Sequence, residues 1–377
     1  VAARRLTLLA KYFPPVRGGM EQHAGLLTRA VSDVFDTTVI AHGEGRKTIR
    51  ESLYGAQIVR CGTLATLFSQ PISPAYGREM RRSQPDIVHL HAPNVLATLA
   101  ALRAPRSARI VVTHHADILG REPLRSLALM AYRRVIARAA AVIVSSRNLA
   151  RFSLDLPDCA GRLHVIPFST EPELESFLAD DAVRTEAAAL RTRLIAPDQM
   201  LCVFVGRLVP YKGLDVLLHA MAQVPSLALA VIGDGPLMEE SRALVQSLGM
   251  QSRVHFLGAA EERVKQATYG AANIFAMPSV TTAEAFGISQ IEAMRWGLPV
   301  VTTDLPSGVP EVGVPGETSL IVKPRDIAAL AAALQRLCND ADMRRRMGEA
   351  GRTRARTLYS FDAFRTRMRD FYTGVLA

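Results

Sequence analysis

The chain has 377 residues, 49% of them hydrophobic and 21% charged, which excludes a disordered or fibrous protein and points to two domains. No uninterrupted apolar run approaches the ~20 residues of a membrane span, and the short apolar run at 6–10 is not the core of a secretory signal, so neither is expected. The net charge of +10 is one-sided: residues 1–170 carry 23 Lys+Arg against 11 Asp+Glu, whereas residues 171–377 carry 22 against 24.

In chain order, short apolar runs alternate with longer helical patterns. Strands are predicted over 6–10, 38–41, 87–91, 110–113 and 141–145, with helices over 19–34 and 124–139 among the segments between them. These strands read as apolar throughout, as parallel strands buried on both faces do. The segment 63–82, with Phe68, Gln70, Pro71, Pro74 and Tyr76, reads as an irregular loop of the kind that selects an acceptor. Residues 169–198, rich in Glu, Asp and Ala and carrying Pro172 and Pro197, read as a linker with a helix. Strands then recur over 200–205, 227–233, 254–257, 274–277, 299–303 and 319–322. This βαβα order, run twice, predicts the α/β class with two doubly wound parallel-sheet domains, 1–168 and 199–358. Cys61, Cys159, Cys202 and Cys338 form no C-x-x-C pair, which fits a reduced cytosolic protein better than a disulfide framework or structural zinc.

Several segments carry chemistry. Gly206-Arg207 and Lys212-Gly213 flank a loop between a strand and a helix, where anions settle on free N–H groups and Arg and Lys add a fork and a point charge. Two solvated charges after a strand are the plainer alternative, and the P-loop pattern is absent. Glu284 and Glu292 stand eight residues apart around Phe286-Gly287, where a loop opens into a helix. Carboxylates suit hydroxyl-rich ligands, and the N–H groups of Phe286, Gly287 and Ile288 suit phosphate. An acidic first turn of an ordinary helix would explain the same residues. Gly233-Asp234-Gly235 is not a dinucleotide fingerprint, because Pro236-Leu237-Met238 follows where the third Gly should stand.

Asp340-Ala341-Asp342 precedes a strongly helical run and reads as an N-cap with an acidic first turn, so no catalytic metal and no other cofactor is expected. His89-x-His91 ends a strand, and without a third ligand at recognisable spacing it reads as structure or site wall. Residues 121–138 form a basic amphipathic pattern. Arg121 and Arg125 are candidates to meet an anionic lipid surface or a lipid-diphosphate acceptor, and Tyr76 of the 63–82 loop is a candidate acceptor contact. A core helix with a solvated basic face is the alternative.

Gly206-Arg207 with Lys212-Gly213, Ile232-Gly-Asp-Gly-Pro236, Glu284-x7-Glu292 and Pro14-Pro15-x-x-Gly18-Gly19 occur in one order along nearly the whole chain. In this the sequence resembles the retaining GT-B glycosyltransferases of family four. The resemblance implies two Rossmann-like domains facing a central cleft, a nucleotide-sugar donor on the second and an acceptor on the first. It also implies that a last helix over 361–375 returns to the first domain. Arg207 and Lys212 then look like the diphosphate clamp, Glu292 like the ribose partner and Glu284 like the carboxylate on the donor sugar's hydroxyls. Gly18 and Gly19 would let backbone approach the diphosphate, while Gly233, Gly235 and Leu257 would line the base pocket. His115, followed by Asp117, matches a segment whose His reaches toward the donor sugar.

The expected activity is therefore retaining transfer of a hexose to a glycan or lipid-linked hydroxyl in envelope polysaccharide or glycolipid synthesis. Ile166-Pro-Phe-Ser and Pro306-Ser-Gly-Val-Pro resemble bacterial mannosyltransferases, which favours GDP-mannose over a UDP-hexose. Ser169 and Thr170-Glu171 depart from the family's usual Gly and Ile/Val-Asp. The expected location is cytoplasmic, with peripheral attachment to the inner face of the plasma membrane suggested by the basic half. The alternatives are a non-catalytic protein that binds nucleic acid or an anionic surface and a GT-B UDP-N-acetylglucosamine epimerase. No recognition helix or stacking motif is present, so nucleic acid is not expected as a partner.

Overall fold

The computed structural model describes residues 4–16, 18–67, 70–118, 122–159 and 161–376. The chain divides into two compact units, one of residues 1–169 with 361–377 and one of residues 170–360.

The first unit holds strands β1 (Arg5–Leu9), β2 (Asp36–His42), β3 (Ile49–Leu53), β4 (Ala56–Cys61), β5 (Ala65–Leu67), β6 (Gln70–Ile72), β7 (Ile87–Ala92), β8 (Arg109–His114), β9 (Ala141–Val144) and β10 (Leu163–Val165). Eight of them form one sheet in the order β10-β9-β8-β7-β1-β2-β4-β3, parallel except for the edge strand β3. Side chains alternate between its faces, as a period of two requires. Leu6, Leu8, Val39, Ala41, Val111 and Ile143 meet the helices Gly19–Val31 and Phe361–Leu376 on one face. Leu9, Ile40, Val88, Leu90, Val112 and Val142 meet Tyr76, Met80, Tyr132, Val135 and Ile136 on the other. Phe364, Met368 and Tyr372 of the C-terminal helix are buried in the first of these clusters. Each contributes roughly 1.5–3 kcal/mol of apolar burial.

The second unit holds β11 (Met200–Val205), β12 (Leu227–Ile232), β13 (Val254–Gly258), β14 (Ile274–Met277), β15 (Val300–Thr303) and β16 (Ser319–Val322), all parallel, in the order β13-β12-β11-β14-β15-β16. Its core joins Phe204, Leu229, Val231, Ile274 and Val301 to Leu217, Leu218, Leu334 and Leu337 of the flanking helices.

The structure departs from the sequence expectations in three places. The segment expected as a loop over 63–82 holds the β5–β6 hairpin and a helix, Pro74–Arg82; Phe68 lies outside the described residues. The β3–β4 hairpin was not expected, because its outer strand is polar and mostly exposed and so lacks an apolar signature. It turns at Tyr54 and Gly55, both with positive φ, as a tight hairpin demands. The segment 169–198, read as a linker with a helix, holds more helix than that. It forms helices Leu174–Ala179 and Asp181–Leu194, and Val183, Ala187, Leu190 and Leu194 are buried in the second unit.

Candidate functional site

Open parallel sheets bind ligands beyond the carboxyl ends of their strands, where the strand order reverses. In the second unit that point lies between β11 and β14. The loop after β11 is lashed down by Gly206 N to Ile232 O at 3.0 Å and Leu208 N to Asp234 O at 2.9 Å. Gly233 and Gly235 permit this closure: a Cβ on the first would lie 1.9 Å from the Gly206 carbonyl oxygen, and on the second 2.4 Å from that of Leu208. Their glycine identity thus follows from loop packing, before any role beside a base. Leu257 lies half-buried at the end of β13 on the same edge.

A single 3-10 turn, Pro210–Lys212, then delivers Lys212 to Glu284, with Nζ 2.5 Å from Oε2. Ser279 Oγ donates to the same carboxylate oxygen at 3.3 Å. Both partners are nearly buried, with side chains 13% and 10% exposed. Arg207 is exposed and its side chain has no ion-pair or hydrogen-bond partner among the described residues. Phe286 is buried, and Gly287, at φ 80°, starts helix Ile288–Arg295 without a side-chain cap. A Cβ there would strike Met277 Cε at 2.5 Å, so both backbone angle and space require glycine.

Glu292, on that helix, is held at both oxygens: Lys265 Nζ lies 2.9 Å from Oε1, and Tyr269 donates its hydroxyl to Oε2 at 3.0 Å. Burial opposes the charge on Lys265, but Glu292 and Glu262 outweigh it and hold the ammonium above its ordinary range. Sequence reasoning missed both residues. Their i, i+4 spacing puts them on one face of helix Glu262–Ala271, but nothing in that spacing shows which carboxylate the face meets.

In the first unit the strand order reverses between β1 and β7. The loop after β1 enters helix Gly19–Val31 at Gly18, whose extended backbone carries no strain. The two glycines have different reasons. A Cβ on Gly18 would meet Glu21 Oε2 at 2.1 Å, whereas one on Gly19 would meet nothing within 4 Å. Gly19→Ala is therefore expected to leave the melting temperature unchanged and to weaken nucleotide-sugar binding about tenfold if the diphosphate needs that open space. Equal affinities for wild type and variant in a titration would remove Gly19 from the site.

His115 follows β8 and its N–H donates to Ala92 O at 2.9 Å, extending the ladder with β7. Its ring is buried against His91, with Nε2 3.0 Å from His91 Nδ1. His23, His91 and His115 offer nitrogens within 4.8 Å of one another. Burial drives all three below the usual histidine range, His91 to about 3, and neighbouring histidines add to the effect on His23 and His115. Such neutral nitrogens can ligate a metal, but one nitrogen of each of His91 and His115, Nδ1 and Nε2, is taken up by their mutual contact. His89 is structural, with Nδ1 2.5 Å from the Tyr372 hydroxyl and Nε2 2.6 Å from that of Thr113.

Other expected site residues make contacts within the first unit. Asp117 accepts hydrogen bonds from Ser153 Oγ and from Leu154 N at 3.0 Å, with His114 Nε2 3.4 Å away. Burial alone would raise its pKa, but these bonds from His114, Ser153 and Leu154 hold it far below the carboxylate range. Asp117 thus organises the 153–155 loop. Tyr76, expected at the acceptor, is in the core, where it donates its hydroxyl to Ala10 O at 2.8 Å and stacks on His42. Arg125 is spent on Asp155 Oδ1 at 2.7 Å and Ile118 O at 3.0 Å. Arg121 lies outside the described residues. Asp340 accepts from Met343 N at 2.7 Å as an N-cap, and Asp342 pairs with Arg345.

Comparison with known proteins bears on the family and the fold. Residues 17–173 match the family model for Glycosyltransferase Family 4, and residues 188–354 that for Glycosyl transferases group 1. O-antigen chain mannosyltransferase C of Escherichia coli is 27% identical over 385 residues, 99% of each chain. A GDP-mannose-dependent alpha-(1-6)-phosphatidylinositol monomannoside mannosyltransferase of Mycolicibacterium smegmatis is 29% identical over 361 residues, 92% of each chain. Sucrose-phosphate synthase from Thermosynechococcus elongatus shares the fold, with a TM-score of 0.81 at 24% identity over 99% of both chains. With two Rossmann-like units, charged groups at the switch point of the second and family models matching both halves in order, the chain belongs to the GT-B glycosyltransferases of family four.

Proposed function

We propose that the protein transfers a hexose, with mannose favoured, from a nucleoside-diphosphate sugar to a hydroxyl of a glycan or lipid-linked acceptor with retention of configuration. One observation carries this reading: the nearly buried Lys212–Glu284 pair at the switch point of the second unit, with Arg207 on the same loop and without an ion-pair or hydrogen-bond partner among the described residues. Arg207 and Lys212 offset the charge that grows on the leaving diphosphate, without a metal. Glu284 accepts hydrogen bonds from sugar hydroxyls, Glu292 from the ribose, and His115 contacts the donor sugar. The departing diphosphate takes the acceptor's proton on the same face, which retains the configuration. The names of the mannosyltransferase relatives support GDP-mannose and a role in polysaccharide or glycolipid synthesis.

The test is a thermal-shift panel of UDP, GDP and ADP sugars with EDTA present, followed by proton NMR of the product anomer. GDP-selective stabilisation and an α-linked product support the whole reading. A UDP-selective shift discards mannose, an inverted product discards retention, and free sugar formed without an acceptor favours an epimerase. No shift with any nucleotide at ligand concentrations well above the expected Kd favours a binding protein.

Attachment to an anionic membrane surface also has an observation behind it. Among the described residues no helix is long and apolar enough to cross a membrane. Helix Leu124–Arg138 exposes Leu124, Leu127 and Met130 at 54%, 56% and 46%, beside the exposed Arg133 and Arg134. Replacing those three apolar residues by Ser is expected to lower co-sedimentation with phosphatidylglycerol vesicles at least about tenfold, since each buried apolar side chain is worth ~1 kcal/mol or more at the interface. Wild-type protein that stays in the supernatant at low salt would sink the idea.

A further inference from the structure

The imidazole cluster of the first unit has a direction that metal binding does not explain. His91 ends β7, His115 follows β8, and His23 comes from helix Gly19–Val31. The His91 and His115 ring centres are 5.3 Å apart with planes 21° from parallel. That separation equals the 3.0 Å N···N distance plus a ring radius at each end, so the contact runs in line with both rings. A shared metal would need the two lone pairs to converge on a third point. An in-line contact instead needs one proton between the nitrogens.

The location of that proton is decided by what lies behind it. His91 Nε2 is buried and has no hydrogen-bond partner among the described residues. If His115 Nε2 held the shared proton, neutral His91 would have to carry its own on Nε2, as an orphaned buried N–H. If His91 Nδ1 holds it, the orphan is a bare lone pair, and buried N–H groups without an acceptor are the rarer of the two. Among the described residues nothing nearby favours a doubly protonated ring. His89 stacks on His91 with ring centres 5.1 Å apart, and His23 stands edge-on to His115 at 4.9 Å. Burial holds His23, His89 and His115 neutral along with His91. His115 Nδ1 makes no hydrogen bond to a described residue, and Phe168 packs on the ring with centres 5.2 Å apart.

We propose that His91 is a positioning residue that donates from Nδ1 to His115 Nε2 and so fixes His115 as the tautomer with its proton on Nδ1, which leaves that N–H as a neutral donor for a sugar oxygen. This rests on the reading of His115 as a donor-sugar contact. The ladder between β7 and β8 supports it, because His115 N is tied to Ala92 O, one residue beyond His91. A residue on one strand thereby sets the chemistry of a ring on the next.

The test uses the full chain labelled with 15N-histidine. Long-range 15N–1H correlation spectra report which nitrogen of each ring carries the proton. The expected wild-type result is a protonated Nδ1 and bare Nε2 on His115. His91→Leu removes the donor and is expected to convert His115 to a tautomer mixture and to lower kcat/KM about tenfold, the cost of one neutral hydrogen bond. His91→Asn, whose amide N–H can take the place of Nδ1–H, is expected to restore the wild-type tautomer and to bring kcat/KM within about threefold. A proton on Nε2 of wild-type His115 overturns the proposal, as does an unchanged tautomer in His91→Leu. Should His91→Leu fail to fold, the wild-type and His91→Asn spectra still decide. His115→Ala tests the underlying reading separately: full activity there removes the sugar contact, and with it the function proposed for His91. A wrong tautomer in an enzyme that His115→Ala disables leaves the contact standing and defeats only the role of His91.

Discussion

Lys212→Ala lowers kcat/KM by roughly 10²–10³-fold, as expected when one preorganised group facing a developing charge is removed. The same change destabilises the free protein, because Glu284 is left nearly buried without its cation. Breaking such a pair costs about 3–5 kcal/mol. The two effects separate in the double variant Lys212→Met with Glu284→Gln. Removing both charges recovers much of the stability, while activity stays lost. Chemical denaturation and steady-state kinetics on the three proteins make the comparison. A double variant that regains activity along with stability would falsify any role for the pair beyond folding. Lys212→Arg keeps the charge but not its shape, and the short turn Pro210–Lys212 offers little room to adjust.

Mild acid loosens the first unit while the second holds. His23, His89, His91 and His115 are buried in the first unit with pKa values pushed down by burial, His91 to about 3. The sign follows from linkage. Depressed folded values mean that the unfolded chain binds protons first, so their contribution is complete above the unfolded pKa near ~6.5. It is lost progressively as pH falls from there toward the folded values. At about pH 5.5 each histidine costs on the order of 1.4 kcal/mol, and the four together roughly 6 kcal/mol. His42, pushed to about 4, adds to the loss, whereas Glu21, raised by burial, opposes it. Hydrogen exchange between about pH 7.5 and 5.5, corrected for intrinsic rates, should lower the protection of β7 and β8 amides far more than that of β11 and β12. Equal changes in the two units would show that the histidines do not set the acid limit.

The parallel strands were legible in the sequence because they are buried on both faces. Met200–Val205 and Leu227–Ile232 read as unbroken apolar runs, and the structure buries them almost completely. Strand β3 was not legible, because it lies at an edge and exposes four of its five residues. Three charged residues stood out in the sequence for another reason. Lys212, Glu284 and Glu292 sit in loops and helix starts, where charge and glycine spacing reflect local backbone needs.

Partnership between distant residues left no such trace. Nothing near Tyr76 signals that its hydroxyl meets Ala10, nor near Arg125 that it meets Asp155. Both looked free to bind an acceptor until the chain closed around them. The same holds for Lys265 and Tyr269 on Glu292, and for His91 on His115. Residue type and local spacing thus settle which segments become buried strands and which loops carry charge, because burial and backbone geometry act within a few residues. Whether a polar side chain is left for a ligand depends on which strands lie side by side, since a hydrogen bond forms over 3 Å of space whatever the separation in sequence.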